Sequence, residues 1–135
     1  MKAITITQMI LRAAVLLALI LGIIFWANPA MPALNPGLKD FHMLLGIIVV
    51  LALWTLGLLQ ARVKGGSSGL AAGAFVVGLI VVIVGLWQES WKGSGANVEL
   101  INTIHLLLGL LAVGLGEMIG GRSKRLAKAE AKVEA

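Results

Sequence analysis

Four apolar runs set the limits on what this chain can become. Phe41 to Leu59 covers 19 residues and Leu70 to Trp87 covers 18, neither with an acidic or strongly basic side chain. Ala13 to Ala27 follows Arg12, and its helical pattern begins near Ile6. Leu100 to Gly116 is softened only by Asn102, Thr103 and His105. A helix needs about 20 apolar residues to cross ~30 Å of hydrocarbon, and it satisfies its own backbone hydrogen bonds on the way. The runs therefore predict four transmembrane helices, at about 6–27, 39–61, 70–88 and 98–120. The expected fold class is all-α: an integral membrane four-helix bundle over residues 1–121, with a basic tail at 122–135.

Charge and composition agree with a bilayer partner. Charged residues make up 13% of the 135 residues, about half the usual ~25%. The net charge of +5 is not a nucleic-acid footprint, because the basic residues sit between apolar runs and in the tail. The absence of cysteine rules out disulfides, thiolate metal sites, a cysteine nucleophile and covalent c-type haem. No phosphate loop, catalytic triad or paired-carboxylate constellation is present, so the pattern suits a carrier better than a stand-alone enzyme. A cleavable leader is the alternative for the first run, since "ANPAMPA" offers small residues. The length of that run and its Phe25-Trp26 ending favour a retained helix.

The basic residues also orient the chain. Nine of the eleven, from Lys2 and Arg12 through Arg62 and Lys64 to the tail, fall on one side, and only Lys39 and Lys92 fall on the other. The positive-inside rule then places both termini and the "ARVKGGSSGL" linker in the cytoplasm, in a multi-pass protein of the cytoplasmic membrane. Trp26, Trp87 and Trp91 gather at the outer interface. Asn35-Pro36 reads as the cap and first residue of the second helix, and Asn97 or Ser94 as the cap of the fourth.

The only two histidines lie in nearly repeated motifs, "FHMLLG" (41–46) and "IHLLLG" (104–109). Each motif opens the second helix of a hairpin, so the chain reads as two tandem helical hairpins whose second helices run parallel. His42 and His105 then share one depth, near the outer face. Gly46 and Gly109 follow one turn further in on the same faces. Two facing imidazoles can ligate one haem iron, and missing side chains beside them leave room for a flat macrocycle. The site expected from the sequence is therefore His42 and His105 as cofactor and metal ligands, with Gly46 and Gly109 lining the cofactor. Met43, on another helix face, is not expected to join them.

Parallel helices giving one histidine each resemble the membrane b-type cytochromes, including the four-helix cytochrome b561-like group. The resemblance rests on His42 and His105 in their HxLLG context. It implies one non-covalent haem b per chain and a role in electron transfer, fed by a quinol or an extracytoplasmic redox partner. The two-haem pattern of that group needs four histidines, and this chain has two. Membership of a homo-oligomer or larger complex stays open. So does a reading from another class: a cofactor-free membrane subunit or small transporter with structural histidines. Glu117 is expected to snorkel or to pair with Arg12, Arg62 or Arg122, with proton transfer to a quinone as the alternative, and Trp54 to serve in helix packing or beside a porphyrin. The tail "RSKRLAKAEAKVEA" is expected to form a short charged helix on anionic headgroups.

Overall fold

A computed structural model of the protein describes residues 2–95 and 97–133. Met1, Ala96, Glu134 and Ala135, which belong to the termini and the last loop of the expected layout, lie outside the described residues. The described chain is helical, with α1 (Lys2–Ala27), α2 (Met31–Leu34), α3 (Pro36–Arg62), α4 (Ser68–Gly93) and α5 (Val98–Val133). α1, α3, α4 and α5 are each long and apolar enough to cross a membrane. The 26 residues of α1 span about 39 Å at 1.5 Å per residue. Their outward surface is itself greasy: Leu16, Ile20, Ile47, Leu51, Phe75 and Leu107 are all exposed. In water such surface drives association, whereas in lipid it is the ordinary exterior of a spanning helix. The chain has the form of a multi-pass membrane protein.

Local chemistry sets the helix ends. Pro36 opens α3, where its missing N–H has no intrahelical partner to lose. The expected Asn35 side-chain cap does not form; the Asn35 amide instead donates to Met31 Sδ at 3.2 Å. The reason is α2, a single turn built around Pro32 in its first positions, which brings Met31 back onto Asn35. Ser67 caps α4, accepting from the Leu70 amide at 3.3 Å, and Asn97 Oδ1 accepts from the Leu100 amide at 3.0 Å. Between α3 and α4 the chain turns through Gly65 at φ 76°. A Cβ at the neighbouring Gly66 would meet the carbonyls of Gln60 and Val63. The basic tail continues α5 without a break to Val133 rather than forming a separate helix, as its Ala, Lys, Leu and Glu content permits. Leu126 packs at Gly65 and Glu130 faces Lys64 at 3.9 Å, tying the extension to the linker.

α3 and α5 form the central pair. Each packs against the other and against both α1 and α4, while α1 and α4 do not meet among the described residues. The core is a row of Leu11, Leu53, Leu56 and Ile119, all fully buried, with Ala74 and Ala112 where helices approach closely.

Contacts reveal an internal two-fold relation with a register of 63 residues, the separation of His42 from His105. A Cβ on Gly57 of α3 would press on Ala71 and Ala74 of α4, and one on Gly120 of α5 would press on Gln8 of α1. Position 57 plus 63 is 120, and 8 plus 63 is 71, so the two glycine contacts are equivalents. The buried pair Leu56 and Ile119 obeys the same register, as does the buried polar pair Gln60 and Ser123.

One equivalence joins unlike chemistries. Trp54 of α3 stacks on Phe75 of α4 at 4.5 Å between centroids and donates its indole N–H to the Phe75 carbonyl at 3.2 Å. Their counterparts are Glu117 of α5 and Arg12 of α1. Arg12 Nε donates to Glu117 Oε1 and Arg12 Nη2 to Oε2, each at 2.6 Å, a bidentate pair. Gln8 Nε2 adds a longer approach to Oε2 at 3.5 Å. Of the three arginines expected as partners for Glu117, Arg12 is the one engaged. Trp54 takes the packing role, and it does not line the histidine site.

Candidate functional site

His42 lies six residues into α3 and His105 seven into α5, or about 9 and 11 Å along their helices. Both are at the end that carries Trp26, Trp87 and Trp91. The parallel run of α3 and α5 turns both rings inward at one level. Their centroids are 6.1 Å apart with the planes inclined at 49°.

Each ring leans on a glycine of the helix preceding it. A Cβ on Gly22 of α1 would lie 3.5 Å from His42 Cε1, and one on Gly85 of α4 would lie 3.6 Å from His105 Cε1. These glycines are again 63 residues apart. They let each imidazole tuck against a flanking helix without a side chain between. Gly22 ends the small-residue stripe Ala14-Ala18-Gly22, which the sequence marks as a place of close helix approach around the cofactor, whereas Gly85 carries no such signal. Aligning the two halves on their histidines would have found both.

The surroundings of the rings are apolar. Phe25 meets His42 edge-on at 5.6 Å. Its counterpart in the second half is Gln88, a polar residue that lines the adjoining cleft. Nδ1 of both histidines is buried with no hydrogen-bond partner. Buried polar atoms are nearly always paired, so two orphans at equivalent positions need a cause.

A cleft between α3 and α4 opens beside the rings, with a cavity volume of about 80 Å³. His42, Gly46 and Val50 form one wall, Val81 and Gly85 the other, and His105 reaches in from α5. Met43 lines the same cleft, contrary to the expectation from sequence. Neighbours on a helix are only about 100° apart, and the opening is broad enough to include both. Of the two expected lining glycines, Gly46 borders the cleft and Gly109 does not. A Cβ on either would meet nothing within 4 Å, so both stand beside open space.

The donor set defines the chemistry available. Among the described residues no three His, Cys, Asp or Glu side chains come together, so a protein-only tetrahedral zinc site of the usual kind has too few ligands. Two opposed nitrogens suit a metal whose other positions are filled by a ligand of its own. Comparison with protein-family models, curated proteins and solved structures finds no match. The functional reading therefore rests on the site itself.

Proposed function

We propose that the protein is a membrane-embedded four-helix bundle holding one non-covalent haem b between His42 and His105, near the outer face, for electron transfer. The observation that carries this reading is the close pairing of the two histidine rings at one level. Metal–nitrogen bonds of ~2.0–2.1 Å on both sides of one ion put the two imidazole centroids about 6 Å apart. The observed 6.1 Å matches that spacing. The inclination of the planes is no obstacle, since each ring can rotate about its own bond to the metal.

The chain's residues supply the rest of the fit. His42 and His105 would each hold the metal through one ring nitrogen, and the other N–H would need a carbonyl to fix ring orientation. Gly46 and the valines give an apolar, side-chain-poor wall, and the four helices restrict water. Bound there, haem supplies a reversible Fe(III)/Fe(II) couple whose potential follows ligation and burial. One pair of ligands on the internal two-fold axis holds one cofactor. Reduction by a quinol or an extracytoplasmic partner completes the proposal.

Protein purified from haem-replete cells is expected to be red, with a six-coordinate low-spin spectrum and sharp α and β bands on reduction. The extracted pigment should be protohaem at about one per chain. Colourless protein sinks the proposal.

Orientation follows from the nine basic residues at one end against two at the other. The chain has no native cysteine, so single cysteines at Ser68 and Ser94, both exposed in loops or at a helix start, report cleanly. In intact cells a membrane-impermeant thiol reagent should label Ser94→Cys and spare Ser68→Cys. The reverse pattern would move the histidine site to the cytoplasmic side.

A further inference from the structure

Only two basic residues occupy the tryptophan end, and helical spacing sets each one to two turns outward of residues that line the histidine cleft. Lys39 precedes His42, Met43 and Gly46 by three, four and seven residues, which puts it on the helical face that lines the cleft. Lys92 follows Gln88 and Gly85 by four and seven residues, on the corresponding face of α4. Glu89 sits between them. Its Oε2 is 3.8 Å from Lys39 Nζ and its Oε1 is 3.9 Å from Lys92 Nζ.

Two ammonium groups thus share one carboxylate. Both separations exceed the 2.7–2.9 Å of a charge-assisted hydrogen bond, so neither lysine spends a donor on Glu89. Asp40 and Glu99, the other acids at this end, make no ion pair with either lysine among the described residues. Below the lysines the cleft is apolar. The arrangement fits a flat amphiphile with an apolar body and an anionic edge.

We propose that Lys39 and Lys92 anchor the two carboxylates of the haem edge, fixing the propionates toward the outer face. This rests on the haem reading above and adds its orientation and its selectivity for a free diacid. The lysine stems lie along apolar helix surface while their heads stay at the interface, where they meet the carboxylates without desolvating fully.

The test compares protohaem with its dimethyl ester, which keeps the iron and ring but removes both negative charges. Each is loaded into detergent-solubilised wild-type protein and into the Lys39→Gln/Lys92→Gln variant, and loss to excess apomyoglobin is timed. Wild type should lose the ester roughly tenfold faster than the free acid, the scale of one charge-assisted contact. The double variant should lose both forms at the faster rate while keeping its low-spin spectrum. Equal release of the two forms from wild type, or undiminished discrimination in the variant, overturns the anchoring. An intact low-spin spectrum in that case leaves the histidine ligation standing. Absence of low-spin haem from wild type overturns both, and the spectrum separates the two failures.

Discussion

Alanine in place of either His42 or His105 is expected to abolish the six-coordinate low-spin spectrum and most of the bound haem. In the proposed site each ring would supply one of two bonds to the iron, so neither variant could keep the bis-histidine state. Losing a mere hydrogen-bond partner of a metal ligand costs about 10–100-fold in affinity, and losing the ligand itself should cost more. The scaffold should survive, because each ring already borders a cleft and leans on a glycine rather than plugging a tight core. Expression and helical circular dichroism are therefore expected to stay near wild type. The vacated space is also imidazole-shaped. Added imidazole should restore a low-spin spectrum in His42→Ala and in His105→Ala, a rescue that a purely structural histidine would not show. An unchanged spectrum in one variant would reassign that ligand.

Much of the architecture was readable from sequence because lipid constrains both length and polarity. Four runs near 20 residues can only be satisfied by four long helices, and those are the helices observed. What periodicity could not supply was contact between helices. The depth of Glu117 allowed three arginine partners, and only the packing of α5 on α1 selects Arg12. Trp54 had two roles open to it until α4 placed Phe75 beneath its ring. Loop chemistry was also underdetermined: Asn35 was read as the side-chain cap of α3, whereas Pro32 helps start the turn α2, which brings Met31 onto Asn35 instead.

At the site, the two histidines were conspicuous because they are the only pair and share a motif. Of their glycine supports, Gly22 was legible as part of a small-residue stripe, while Gly85 was hidden among seventeen glycines. The internal register explains both the visible and the hidden parts. A two-fold relation that maps α3 onto α5 brings equivalent side chains face to face only near its axis. His42 and His105 are such a pair, and Gly22 and Gly85 are their equivalent supports. Away from the axis the halves have diverged, so an aromatic stack on one side answers an ion pair on the other. That divergence fits a scaffold role for Arg12 and Glu117, since interface positions accept either chemistry when the shapes match.

The second large effect is expected where helices, rather than cofactor, fill the space. A Cβ at Gly57 would stand 3.1 Å from Ala74 Cβ and 3.2 Å from the Ala71 Cα, and one of those contacts is backbone, which cannot rotate aside. Gly57→Leu must therefore push α3 from α4, at the upper end of the ~1–3 kcal/mol typical of overpacking. Thermal unfolding in detergent should move to clearly lower temperature, and haem content should fall with it, because α3 and α4 are the walls of the cleft. Gly46→Leu provides the contrast. Nothing lies within 4 Å of its Cβ, yet it borders the cleft, so it should lose haem while the apoprotein melts like wild type. Gly73→Leu, open in the same way but outside the cleft lining, should change neither. A wild-type melt for Gly57→Leu would contradict the close α3–α4 approach. Full haem content in Gly46→Leu would move the cofactor away from this wall.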